Sequence, residues 1–464
     1  TCILVSKVRS LQDFQGVSVP AACALAAAGT ALRDRTELPI HDRETDVIVG
    51  IVGLVFAYSI QAVLLVRYSW FFHLLRLDLV ALWFFALSSA VVLFGVRPIY
   101  RFRWAWLLGA TMFVLPYHIS VVLLGGTRTA AGLVTVGIAA VATGIAVGRT
   151  TRRVIFGAIA AAVVGGLFLA GMAHWAPSAP LFAFQAVPAL TATIVVVGAL
   201  LLRTLRAGSF EMLERTVEPL AANQVWSSLP VVAVVAAALA VAPVPVDGPV
   251  PHARLDDIPF GKPLAAPAGW HLTDTQRYPW VSKVYGEGAV LVRQKFVANT
   301  GNPAWDKLSR PRAIVVDSVS SSRPFSFTTY PPRVLYRGAQ IRLSDQIRLN
   351  DKDRVPLGGG VVAVLVNVID DDILISWDAL HFTWGNREFA QQVTVFTSDN
   401  HEPDAPFPSP TGALLPTLDT LVTVLLRGNA AVTNDAPAFK DVDMLAEFGH
   451  GLVAAQLPTE SAHQ

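Results

Sequence analysis

Cysteine is nearly absent from this chain of 464 residues. It has two, Cys2 and Cys23, and none after them. That excludes a disulfide framework and a cysteine metal cluster, and it leaves the redox compartment unspecified. Charge is also scarce. Only 15% of residues are charged, against about a quarter in an average domain. The net charge of +2 is too small to argue for a nucleic-acid partner, and none is expected. There is no phosphate-binding Walker loop, no GxSxG elbow, no HExxH and no CxxCH. Nothing therefore points to a bound cofactor or metal. The chain begins with Thr1 rather than Met, so a missing or processed start is expected.

Apolar sequence is plentiful: mean hydropathy is +0.50 and 53% of residues are hydrophobic. Seven hydrophobic segments run over 47–66, 79–96, 104–125, 130–148, 154–173, 181–202 and 229–246. Most approach the ~20 residues that a helix needs to cross about 30 Å of hydrocarbon. An Ala-rich eighth candidate, 15–32, is open to three readings: span, signal-like segment or surface helix. The expected fold is a membrane α-helical bundle of about seven transmembrane helices, with that eighth candidate. A β-rich, α+β C-terminal domain follows outside the membrane. The boundaries are an N-terminal segment 1–46, the bundle 47–246, a Pro-rich linker 247–270 and the C-terminal domain 271–464.

Arginine sets the orientation. Successive connections carry 3, 2, 3, 1, 3, 0 and 3 arginines. Positive residues accumulate in cytoplasmic loops, so the three-arginine loops face inward. The remainder after residue 246 then faces outward from a plasma (inner) membrane. Gly144 and Gly148, and the stretch 157–166, are small residues that let helices pack closely. The basic run 149–154 reads as orientation and contact with anionic lipid.

The polar half reads as strands at 289–298, 313–319, 325–330, 340–349, 361–369, 373–384 and 391–398, each rich in Val, Ile, Thr or aromatics. Residues 350–360 read as a loop. Amphipathic helices are expected at 412–427 and 440–455. The stretch 414–426 is too short and interrupted to span, and is expected to lie against the bilayer or on the β-domain.

Candidate chemistry lies at the outer helix ends. Asp78 falls beside the first outer loop with His73 and Arg76, His118 and Arg128 around the second, and His174 at the third. Ionisable groups at membrane depth face a bundle interior, a cavity or one another. Interfacial anchoring is the competing reading. Asp370, Asp371 and Asp372, followed by Asp378 and His381, lack calcium-loop spacing and read as a hairpin turn.

The stretch "RLDLVALWFFALSSAVVLFGVRPIYRFRWAWLLGATMFVLP" (76–116) resembles the exosortase/archaeosortase family, with an arginine-bearing turn leading into a helix that ends in Leu-Pro. "PAGWHLTDTQRYPWVSKVYGEGAVLVRQKF" (267–296) looks like the outer domain carried by, or paired with, some members. The resemblance implies recognition or processing of an exported protein or lipid-linked envelope component. It brings Arg128 and His174 nearest to the family's basic residues. Where the family has its nucleophilic cysteine, this chain reads "LGGTRTAAGL" (124–133), leaving only Thr127 and Thr129. A threonine hydroxyl needs an adjacent base, so cysteine transpeptidase activity is not implied. Two other readings stand beside this one. They are a membrane glycosyltransferase using a polyprenyl-linked donor, with Asp78 its sole obvious carboxylate, and a structural subunit of a larger membrane complex. The expected partners are membrane lipids and one of these components.

Overall fold

A computed structural model describes residues 15–33, 43–148, 150–206, 222–242, 252–255, 260–336, 341–344, 354–386, 388–411 and 414–457. Parts of the segments read above, including 34–42, most of the 203–215 connection and 345–353, lie outside these residues. The chain divides into two compact units. One is Thr1–Val66 with Leu74–Val244; the other is Arg67–His73 with Pro245–Gln464.

The first unit is helical. Among the described residues, five helices are long and apolar enough to cross a membrane: Glu44–Arg67 (α2), Leu77–Phe94 (α3), Arg128–Val147 (α6), Thr151–Trp175 (α7) and Leu181–Leu200 within Leu181–Arg206 (α8). A bent pair, Arg103–Gly109 (α4) and Val114–Leu123 (α5), makes six if it counts as one span. This is a multipass membrane protein, with fewer qualifying helices than the seven or eight expected. The reasons are local. Pro116 sits in the first turn of α5, and its ring excludes a helical carbonyl at residue 112. Residues 110–112 accordingly tighten to a 3-10 turn, Phe113 is extended, and the two halves meet at 69°. Gln15–Arg33 (α1) and Ala222–Val241 (α9) are helices, but their apolar stretches cover only Val19–Ala31 and Ser228–Val241.

Small residues set the packing. A Cβ on Gly144 would stand 2.7 Å from the Val154 carbonyl oxygen, and one on Gly132 2.6 Å from that of Phe184. Only backbone-to-backbone approach fits there. The outward surfaces remain apolar: Phe156, Ile159, Leu167 and Ile194 are exposed, as lipid-facing side chains would be.

Among its described residues the second unit forms a ten-stranded mixed sheet. Its strands are His252–Arg254 (β1), Trp270–Tyr278 (β2), Val290–Ala298 (β3), Ala313–Ser321 (β4), Ile341–Ser344 (β5), Arg354–Gly358 (β6), Val361–Asp370 (β7), Ile375–Gly385 (β8), Ala390–Ser398 (β9) and Thr433–Asn434 (β10). The order is β10-β5-β7-β8-β9-β4-β3-β2. β1 pairs parallel with β8, and β6 antiparallel with β7. Leu414–Arg427 (α10) and Val442–Gln456 (α11) are the two C-terminal helices. Met444, Leu445, Phe448 and Leu452 of α11 pack on one sheet face with Phe296, Leu365, Leu380, Phe382 and Val393. Central strands are buried on both faces, which explains why β7 reads as a nearly continuous apolar run rather than an alternating one.

Two expectations need correcting. The stretch 325–330 is a helical turn, Phe325–Thr329, because Pro324 at its N-cap is already in the helical region. The region 350–360 contains strand β6, whose Pro356 suits an edge.

Candidate functional site

Gly125 and Gly126 take positive φ, +102° and +72°. The Gly126 N–H returns to the Val121 carbonyl at 2.8 Å, closing α5. Thr127 then caps α6, its hydroxyl accepting from Ala130 N at 3.1 Å and pairing with the Thr129 hydroxyl at 2.7 Å. This segment is a turn between helices, and Thr127 is an N-cap.

Arg128 donates from Nη1 to the carbonyl of Ala179 at 2.9 Å and of Pro177 at 3.5 Å. It therefore meets the turn that follows His174. His174 itself is exposed, its ring edge-on to Trp175. His118 is half-buried beside Tyr117. Asp78 is held by Arg76, with Nε–Oδ1 at 3.0 Å and Nη2–Oδ2 at 2.9 Å. Arg76 caps α3 in the left-handed region at φ 44°, ψ 53°, a conformation that costs a non-glycine residue about 1–3 kcal/mol.

A polar network inside the bundle is absent from the candidates above. Gln185, fully buried on α8, donates from Nε2 to the Tyr117 hydroxyl at 2.5 Å, and its backbone carbonyl accepts from the Thr135 hydroxyl at 3.0 Å. It ties α5, α6 and α8 together. A glutamine within an apolar span was the available signal.

In the sheet unit, the face opposite α11 carries His381, Thr394 and Phe396. An apolar cavity of about 30 Å³ lies among Tyr336, Ile341, Leu343, Val366, Val368, Ala379, His381, Thr394 and Phe396. That is room for at least one water, though not for a substrate. His381 Nδ1 lies 3.0 Å from the Thr394 hydroxyl, and Nε2 lies 3.1 Å from Gln392 Nε2. The Gln392 amide donates, so Nε2 accepts, and Nδ1–H donates to Thr394. Burial pulls His381 down to about 4, which keeps the ring neutral.

Beside the cavity, the Tyr336 hydroxyl donates to Asp317 Oδ2 at 2.8 Å. Burial and the Asp317 carboxylate keep that phenol protonated. Arg293 grips the same carboxylate with two bonds of 2.7 Å and also donates to the Pro408 carbonyl. A second cation, Arg312, is 3% exposed and binds Asp441 Oδ2 at 2.5 Å, Ser398 O at 2.8 Å and His401 Nε2 at 2.6 Å. These clusters fix loops and α11 to the sheet. The Asp triplet is a hairpin turn, with Asp370 Oδ1 accepting from Asp372 N at 2.9 Å and Asp371 paired to Arg342.

No family model, curated protein or solved structure matches this chain. Function must be argued from the residues themselves.

Proposed function

We propose that this chain is a cell-envelope membrane protein that holds a sheet-built recognition domain at the outer face of the plasma membrane. It acts there on an exported protein or a lipid-linked envelope component, as its exosortase-like layout implies, and without a cysteine or threonine nucleophile. The observation that carries this reading is how the outer-loop side chains are used. Thr127 caps a helix, Arg128 caps a turn, and Asp78 is neutralised by Arg76. Both Asp78 oxygens are engaged by Arg76, which also argues against Asp78 as the working carboxylate of a glycosyltransferase.

Two hydrogen bonds inside the second unit support the orientation. Arg67 Nε donates to the Val424 carbonyl and the Tyr68 hydroxyl to the Leu421 carbonyl, both at 2.8 Å. Arg67 and Tyr68 belong to the first outer loop by the arginine pattern, and Leu421 and Val424 belong to the C-terminal domain. Bonded segments share one side of a bilayer, so the chain between them crosses an even number of times. Helices α3, α6, α7 and α8 give an even count alone. The bent α4–α5 pair and α9 must then cross together or not at all. Gln61 Nε2, near the C-terminal end of α2, donates to the Leu239 carbonyl near that of α9 at 2.9 Å. The C-terminal parts of α2 and α9 are thus held side by side.

The test is envelope composition in cells lacking the protein, complemented with variants. Arg128→Ala, Asp78→Asn and His174→Ala should each restore the wild-type profile once expression is matched, while a chain ending at residue 246 should not. Loss of complementation by folded His174→Ala, or full complementation by the truncated chain, would defeat the proposal.

A further inference from the structure

We propose that α10 is a membrane-surface anchor that seats the sheet domain in the lipid headgroup and upper acyl region. Three faces of this helix are distinct. Thr420, Leu421 and Val424 are buried. Asp419, Thr423 and Arg427 make a polar strip. Leu418, Val422, Leu425 and Leu426 make a third strip that is apolar and exposed, at 36, 51, 47 and 75% respectively. At about 100° per residue, positions i, i+4, i+7 and i+8 share one stripe. A stripe of this kind beside a polar face is the form of helix that lies in a bilayer interface.

The occupant follows from where α10 is fastened. Its Leu421 and Val424 carbonyls accept from Tyr68 and Arg67, and a Cβ on Gly428 at its end would stand 3.4 Å from Arg67 Nη2. Arg67 is the last residue of the apolar helix Glu44–Arg67. The helix is thus pinned, within one side chain's length, to the point where the chain leaves the hydrocarbon. A tyrosine at that boundary is ordinary interfacial chemistry, and the arginine stem is long enough to carry its charge to the headgroup level. The inference rests on the reading of α2 as a span, but not on which side of the membrane the domain faces.

The experiment uses the full chain with Cys2→Ser and Cys23→Ala, reconstituted in phosphatidylcholine–phosphatidylglycerol vesicles. Single cysteines at Val422, Leu426 or Leu374 carry an environment-sensitive fluorophore. Leu374 is an exposed apolar residue (84%) in a sheet turn and serves as the reference. Labels at 422 and 426 should be quenched several-fold more than the label at 374 by lipids with a nitroxide high on the acyl chain, and several-fold less by iodide. Iodide quenching equal to that at 374 would overturn the proposal. So would protection from both quenchers, which would mean that protein covers the stripe. Sidedness is read separately, from the reaction of Leu374→Cys with an impermeant maleimide. A failure of orientation is therefore distinguishable from a failure of anchoring.

Discussion

Acid should weaken the sheet domain through one residue. His381 is buried on β8, and its ring is held near a pKa of about 4 by desolvation. In the unfolded chain it titrates at about 6.5. Above that pH the ring is neutral in both states and imposes no penalty. As pH falls below 6.5 the unfolded chain binds a proton that the folded chain refuses, so stability declines until the folded value near 4 is reached. The fall from 6.5 to about 4 amounts to about 3 kcal/mol at most. Asp378 works in the opposite sense, because burial pushes its carboxyl up despite the bonds from Asn367, Lys440 N and Asp441 N. A His381→Gln variant removes the histidine term alone, and it retains groups able to bond Thr394 and Gln392. The assay is urea unfolding of the full chain in micelles, read by pulse proteolysis of the sheet domain at pH 7.5, 5.5 and 4. The wild type should lose about 3 kcal/mol more than the variant between the extremes. Parallel losses would refute the buried, neutral assignment.

Other perturbations separate structural roles from catalytic ones. Arg312→Ala strands the Asp441 carboxylate and should cost about 3–5 kcal/mol in the same urea assay. Thr127→Ala should cost about 1 kcal/mol of bundle stability as a lost cap, measured by thermal inactivation of cysteine protection, and should leave complementation intact. Gly144→Val should sharply lower the bundle's melting temperature, because Val154 O stands 2.7 Å from any Cβ. Gly137→Ala, with nothing within 4 Å, should have no such effect. Tyr68→Phe removes one bond to α10 and should raise hydrogen exchange in the peptide containing Leu421.

Long apolar runs were legible as helices, because hydrocarbon permits no other use of 20 such residues. Buried strands β3, β4, β7, β8 and β9 were legible for a similar reason. What escaped is what lies at edges. β2 exposes seven consecutive positions and carries polar residues on both faces, so no alternation marks it. β1 is three residues in a Pro-rich stretch, fixed only by its pairing to Thr383, Trp384 and Gly385 of β8. The break at 110–113 was foreshadowed by Pro116, but its angle depends on neighbours that no local pattern records.

The candidate site was the least legible part, and the cause is chemical. Arginine, histidine and threonine at helix ends serve equally well as caps, as interfacial anchors and as catalytic groups, and sequence spacing is common to all three. Partners distinguish the uses. Arg128 donates to carbonyls of the turn between α7 and α8, so its guanidinium already has backbone partners. Asp78 faces a guanidinium in a left-handed turn two residues away, a local loop closed on itself. By contrast, the apolar stripe of α10 has solvent for a partner in a protein with five described helices long and apolar enough to cross a membrane. A side chain with its bonds already made is weak evidence for chemistry. Among these features the uncovered stripe, fastened to the end of a span, is the one whose environment still lacks a matching surface, and a bilayer interface supplies it.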